Sequence, residues 1–326
     1  MDKFDLIKAA FKTKPTERVP FAVWKHFPEY DKSPEGLLKA QLDFQQKFDS
    51  DIMKISVSGR AFAIDFGAEV GEYDPVTGSR ISVKSPIEIL EDWWNVKEID
   101  VTKGEFGKQI VATRLINQKV EGEIPTMMTV FSPMMVASEI DRNIVSHYRE
   151  NPDLVGEQFK IIISAMTEFA IASLQAGADG IFLATQHFND TLSDQERMEL
   201  EFKPMKSLIK KALKKDNFVV VHLHGDNPDY RLTTKLPIDA INWHDQQTNP
   251  SLTEARKLFN GGLLGGLNAD SWKDLSDPFD VSSEIIKVYK NYEGLGLIFS
   301  PGCVIPQYVA DSTIDIAVST IRNLKN

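Results

Sequence analysis

A single (β/α)₈ barrel of the TIM type is the fold class that this sequence predicts, and three observations predict it. Short apolar runs rich in β-branched residues alternate with longer amphipathic segments, the pattern of βα units around a parallel sheet. Eight such runs fit within 326 residues, most of them followed by a helical segment. The rival arrangement, an open doubly wound sheet, calls for a glycine-rich phosphate turn after an early strand. Neither G-x-G-x-x-G nor a P-loop occurs, and the glycines of Gly261-Gly-Leu-Leu-Gly-Gly266 flank a strand instead of opening a helix.

Taken in order, Val19–Trp24 reads as the first strand. Ser33 as N-cap and Pro34 at the first position open a helix to about Asp49. Asp51–Ile55 is the second strand. The stretch 56–125 is long for a connection, so it is expected to be an insertion within the domain, a lid over the barrel mouth. It is expected to hold a hairpin around Asp74-Pro-Val-Thr-Gly78 and to pack Trp93 and Trp94 into a satellite core. Thr126–Phe131 is the third strand, with a helix from about Asp153 to Gln175 after it. Gly177-Ala-Asp-Gly180 turns into the fourth strand, Ile181–Ala184, where Asp179 is expected to brace the entrance. Ser193 and Glu196 form a capping box for a helix to about Leu213. Phe218–Leu223 and Ala240–Trp243 are the fifth and sixth strands. A second box, Ser251 with Glu254, starts the next helix. Leu263–Leu267 and Leu297–Ser300 complete the eight, and a last helix runs from Asp311 or Ser312 to about Leu324.

Composition narrows the function classes. The 37 basic and 47 acidic residues leave a net charge of −10, which disfavours broad nucleic-acid binding. One cysteine excludes an intramolecular disulfide and points to the cytoplasm. The charged start Met1-Asp-Lys-Phe-Asp-Leu-Ile-Lys8 has no apolar signal region. No stretch approaches the roughly eighteen apolar residues of a membrane span. A small-molecule substrate is therefore the expected partner.

Barrel enzymes place their chemistry at the C-terminal strand ends. Those ends carry Trp24, Lys25 and His26, then Gln186 and His187, His222 and His224, His244 and Asp245, Asn268 and Asp270, and finally Cys303. Five of the six histidines fall on this one rim. In Val219-Val-Val-His-Leu-His-Gly-Asp226, the alternation of a strand turns His222 and His224 to the same side. A thiolate from Cys303 would complete an N/N/S metal site. On its own, a His-X-His pair is more often a hydrogen-bonded polar cluster, and a lone cysteine usually a small buried hydrophobe.

The chain also resembles the uroporphyrinogen decarboxylase superfamily, which includes cobalamin-dependent methyltransferases acting on thiols or folates. Arg18-Val-Pro-Phe-Ala-Val-Trp24, Asp51-Ile-Met-Lys-Ile55, Gly177-Ala-Asp-Gly-Ile-Phe182, Asn242-Trp-His-Asp245, Gly265-Gly-Leu-Asn268 and Ser300-Pro-Gly-Cys303 carry the resemblance over nearly the whole chain. It implies a distorted (β/α)₈ barrel. The decarboxylase branch grips its carboxylates with an early arginine pair; here Trp24 to Tyr30 stands in that region, with Lys25 and His26 but no arginine. Asp51 resembles the aspartate that binds the pyrroles. The late Gly-His-Gly is replaced by Gly302-Cys303-Val304.

The methyltransferase branch carries His-X-Cys after the fifth strand and a cysteine after the eighth, which bind zinc and activate a thiol. His222, His224 and Cys303 occupy those places, with His224 as a departure that remains a competent zinc ligand. The resemblance thus implies methyl transfer between a corrinoid and a thiol or folate acceptor. No corrinoid-binding Asp-X-His-X-X-Gly occurs, so the corrinoid would arrive on a separate partner protein. His187, His244 and Asp245 are the catalytic candidates: the histidines for proton transfer, and Asp245 (or Asp226) to orient a ligating imidazole. Trp24, Lys25, His26, Tyr30, Asp51, Gln186 and Asn268 are expected to bind substrate. Cofactor-free decarboxylation of a tetrapyrrole or related carboxylate, using cations such as Lys25, Arg60 and Arg142, is the alternative. A non-catalytic binding barrel is the third reading.

Overall fold

A computed structural model describes residues 1–273, 278–292 and 294–324. Seven parallel strands form one curled sheet: β1 (Met53–Ile55), then β4 (Thr126–Phe131), β5 (Gly180–Thr185), β6 (Phe218–Leu223), β7 (Ala240–Trp243), β8 (Gly262–Leu267) and β9 (Leu297–Pro301), each beside the next. The intervening β2 (Glu69–Tyr73) and β3 (Arg80–Lys84) pair only with each other, as an antiparallel hairpin. The sheet strands are buried along almost their whole length, as expected for parallel strands covered on both faces.

The two edges of the sheet meet across the segment expected as the first strand. Phe21 makes one parallel bridge with Phe299 of β9. Ala22 N donates to Phe299 O at 2.8 Å, and Phe299 N to Pro20 O at 2.9 Å. On the other side, Asp51 N donates to Phe21 O at 2.9 Å. The segment therefore closes the barrel as its eighth stave, but as a bridge and not a full strand. Its remaining amides explain why. Phe21 N donates to Asp51 Oδ2 (2.9 Å) and Val23 N to Ser50 Oγ (3.1 Å), while Pro20 has no N–H to give. Side chains replace the ladder.

This closure reassigns Asp51. The residue is fully buried at the start of β1, the end of the barrel opposite the histidine rim. Its carboxylate also accepts from Arg18 Nη1 at 2.7 Å. All of its contacts belong to barrel closure, so the expected substrate-binding role gives way to a structural one. At the same end, Asp179 accepts from Thr126 N at 2.8 Å and braces the entry to β5.

The helices begin where their caps predict. Ser33 accepts from Gly36 N, Asn151 from Leu154 N, and Ser193 and Ser251 close capping boxes with Glu196 and Glu254. One expected helix is not continuous. After Ser193 the chain passes through a π-helical stretch, Arg197–Phe202, before resuming as Lys203–Ala212. Pro204 cannot donate to the carbonyl of Leu200, which frees that turn to widen. Glu201 is thereby buried against Ser132 Oγ (3.1 Å) and Thr185 Oγ1 (2.8 Å).

Within 56–125, Asp74 Oδ1 accepts from Thr77 N at 2.7 Å and shapes the expected hairpin turn. Tyr73 O–H donates to Asp31 at 2.6 Å and ties the hairpin to the barrel. Trp93 is buried and donates to Asp141 Oδ2 at 2.8 Å; the same oxygen lies 2.7 Å from His147 Nδ1. Trp94 does not join it: it is 68% exposed, because the tight 3₁₀ turn Leu90–Asn95 points neighbouring side chains apart.

Asp51→Ala leaves the part-exposed Arg18 guanidinium without its partner and orphans the Phe21 amide. We expect a loss of about 1–3 kcal/mol in urea unfolding, with Asp51→Asn losing less because it keeps an acceptor. Unchanged midpoints would contradict this account of closure.

Candidate metal centre and cavity

β6 delivers His222 through four apolar residues, Phe218–Val221, whose burial fixes the register. That register sets His222 directly beside Asn242 of β7. The Asn242 amide nitrogen donates to Leu264 O and to Pro301 O, each at 3.0 Å. Its oxygen is therefore the atom that faces His222 Nδ1, at 2.6 Å. An oxygen acceptor there requires the proton on Nδ1 and leaves Nε2 with its lone pair. Burial, followed by the neighbouring His224 and His244, holds the His222 pKa well below its ordinary value, so the ring is neutral.

His244, just past β7, is oriented by the same device. Gln247 Nε2 donates to Asp270 Oδ2 (2.7 Å) and to Asn268 Oδ1 (3.3 Å), which turns Gln247 Oε1 toward His244 Nδ1 at 2.9 Å. Nε2 is again the free nitrogen, and it lies 3.4 Å from His224 Nδ1. His224 Nδ1 is in turn 3.6 Å from Cys303 Sγ. Each of His222, His224, His244 and Cys303 offers a ligand atom within 4.8 Å of the others. Burial alone would lower the His244 pKa, but the Cys303 sulfur and Gln247 outweigh it and leave the pKa raised. Two nitrogens with assigned lone pairs, a third imidazole and a thiol suit a zinc ion.

His222, His224 and Cys303 line a cavity of about 390 Å³ within the barrel mouth. Trp24, His26 and Gln186, all expected at the substrate site, also line it. Thr77, Ser79 and Ser82 of the hairpin region face it from above. Burial pushes His26 down to about 3, so it is neutral. Lys54 and Glu139 complete the walls, and sequence reasoning missed both. Burial lowers Lys54 to about 8 and raises Glu139 to about 8, the latter against the pull of Arg60. A lysine inside the apolar strand Met53-Lys-Ile55 was the available signal for the first.

Other expected residues sit elsewhere. His187 is buried with Nδ1 3.4 Å from Glu201 Oε1 and outside the cavity lining. Asp245 accepts from Gly266 N with both oxygens at 3.0 Å, and supports that glycine at φ +93°. Burial raises it to about 7. Orientation of the imidazoles falls to Asn242 and Gln247, not to Asp245 or Asp226. Lys25 and Tyr30 do not line the cavity, and Tyr30 is 52% exposed. Asn268 accepts from Gln247, the residue that orients His244, and lines the rim beside His244 and Cys303.

The uroporphyrinogen decarboxylase (URO-D) family model matches residues 2–324. The chain belongs to that family. Its relatives fall on the methyltransferase side. A curated relative, methylcobamide:CoM methyltransferase MtbA of Methanosarcina acetivorans, is 22% identical over 246 residues, covering 74% of this chain and 71% of its own. A methyltransferase from Methanosarcina mazei shares the fold with a TM-score of 0.80 at 17% identity, over 98% of this chain and 97% of that one. A B12-independent methionine synthase from Shewanella sp. W3-18-1 aligns at 0.57 and 13% identity, over 95% of both. The chain shares the barrel fold of these methyltransferases. No helix among the described residues is long and apolar enough to cross a membrane.

Asn242→Leu strands the Leu264 and Pro301 carbonyls and releases the His222 ring. Zinc affinity, measured by competition with a chromophoric chelator, should fall roughly 10–100-fold. Glu139 gives a pH signature. Its folded pKa is raised, so its stabilisation is complete below the unfolded value near 4.5 and fades as pH rises through about 8. Unfolding midpoints should decline over that window in the native chain and decline less steeply in Glu139→Gln, where Asp245 still titrates.

Proposed function

We propose that this chain moves a methyl group between a corrinoid on a separate protein and a thiol or folate acceptor, with zinc held by His222, His224 and Cys303. The observation that carries the reading is the four-donor cluster, with two imidazoles locked in the tautomer that leaves a nitrogen free. Three ligands and an exchangeable fourth position are what catalytic zinc requires. His244 would be the fourth donor, the one exchanged for substrate. Zinc bound there supplies the Lewis acidity that keeps a thiol ionised near neutral pH.

The chain's own residues supply the rest. In transfer to a thiol, the sulfur loses its proton and forms the S–CH₃ bond as the Co–CH₃ bond breaks, leaving the electron pair on cobalt. His244, the donor left free when substrate takes its place, is the acceptor for that proton. Trp24 and Phe182 wall the cavity with apolar surface and exclude water. The hairpin of the 56–125 insertion acts as a lid over the mouth. A cavity of about 390 Å³ lies low in the roughly 300–1,000 Å³ span of small-molecule sites. That size favours a compact acceptor over a four-ring macrocycle, and so methyl transfer over tetrapyrrole decarboxylation.

Chelator-washed protein reloaded with zinc should retain one ion per chain by elemental analysis. His222→Ala and Cys303→Ser should not. His244→Ala should keep the metal yet lose on the order of 10²-fold in thiol-dependent demethylation of free methylcobalamin, followed by visible absorbance. Failure of the native chain to hold stoichiometric zinc would sink the proposal.

A further inference from the structure

Asn242 orients His222 and Gln247 orients His244, but among the described residues no amide side chain hydrogen-bonds the His224 ring. Its Nδ1 faces the other donors, His244 Nε2 and Cys303 Sγ. His224 is also the exposed member of the cluster and stands one residue beyond β6. Neither packing nor a strand interior places it. The backbone supplies the anchor: His224 N donates to Thr185 O at 2.8 Å, the last rung between β6 and β5.

Thr185 is the last residue of β5 and is fully buried. Its hydroxyl has a single proton to donate. Glu201 Oε1 accepts that proton at 2.8 Å, so the lone pairs of Thr185 Oγ1 are left for His187 N, at 3.4 Å. A hydroxyl that accepts from the amide two residues on mimics a β-turn and limits rotation of the intervening peptides. The Thr185 carbonyl, which holds His224, belongs to the first of these. The same Glu201 oxygen accepts from Ser132 Oγ at 3.1 Å, and Ser132 N donates to Ala184 O at 2.7 Å. One carboxylate oxygen thus ties the ends of β4 and β5 together at the residue that carries His224.

Glu201 is fully buried, and its second oxygen has no hydrogen-bond partner among the described residues. A buried carboxyl with one bare oxygen costs stability that an apolar side chain of similar volume would not. It also sits in the π-helical stretch Arg197–Phe202, and such turns are frequent at functional sites. We infer that Glu201 is a positioning residue of the metal cluster, fixing through Thr185 the backbone on which His224 is mounted. The consequence for metal rests on the zinc reading above, whereas the hold on His224 is a property of the metal-free chain.

The test compares Glu201→Leu, which removes the acceptor, with Glu201→Gln, which keeps an oxygen for both hydroxyls. Two quantities are read on the full chain: hydrogen exchange of the His224 amide in metal-free protein, and cobalt(II) affinity by absorbance titration. In Glu201→Leu the His224 amide should exchange roughly tenfold faster. Cobalt affinity should fall roughly 10–100-fold in that variant and stay near native in Glu201→Gln. Asp51→Ala, which weakens the opposite end of the barrel, is the control and should lose urea stability but keep its cobalt affinity. If Glu201→Leu folds poorly by circular dichroism, Thr185→Val, which deletes only the hydroxyl, carries the same expectations. Native exchange at His224 in the folded variant would overturn the assignment, as would an affinity loss that Asp51→Ala matches. A native chain that binds no cobalt would overturn the zinc reading instead, and the exchange rates would still decide whether Glu201 holds His224.

Discussion

The carboxamide of Asn242 joins four strands inside the barrel. It belongs to β7, takes its hydrogen from His222 on β6, and gives its own to the carbonyls of Leu264 on β8 and Pro301 on β9. Each bond alone contributes about 1 kcal/mol, but an orphaned group at this depth costs more than its bond gains. The constraint is thus one of completeness. With all its partners present, the barrel keeps its C-terminal mouth in register and His222 in one tautomer. The metal cluster inherits its geometry from that register, and Gln247 repeats the device on the exposed side.

Barrel closure obeys the same logic at the opposite end. Pro20 has no N–H to give, so the side chains of Asp51 and Ser50 take up the Phe21 and Val23 amides and supplement the few backbone bonds of the first stave. An aspartate that looks like a ligand-binding residue in the sequence is a hydrogen-bond acceptor for the backbone. The two ends of the barrel thus differ in kind: one is fastened by the buried Asp51 carboxylate, the other opens into the cavity that the His222, His224 and Cys303 side chains line.

Much of this was legible in the residues. Strand positions followed from short apolar runs, helix starts from Ser33, Ser193 and Ser251, and the cluster of His222, His224 and Cys303 from alternation and strand-end placement. His244 was visible at the rim, but its place beside the other three was not, since that depends on how far the loop after β7 turns back. His187 was misleading because a strand-end position says nothing of which way the following loop faces. Asn242 and Gln247 escaped notice because an amide advertises no chemistry until its neighbours are known. Lys54 was readable as a charge within a buried strand.

The π-helical turn before Pro204 carries a separate lesson. One surplus residue in a helix shifts the phase of the upstream turns by roughly 100° relative to the downstream ones. Here that shift lets a single segment keep its apolar stripe on the outer layer while turning Glu201 inward to Ser132 and Thr185. The property resides in the residue count of the turn more than in any one side chain. Among relatives, a one-residue gap between positions 197 and 202 would therefore signal a larger change in this wall of the barrel than several substitutions at matched length.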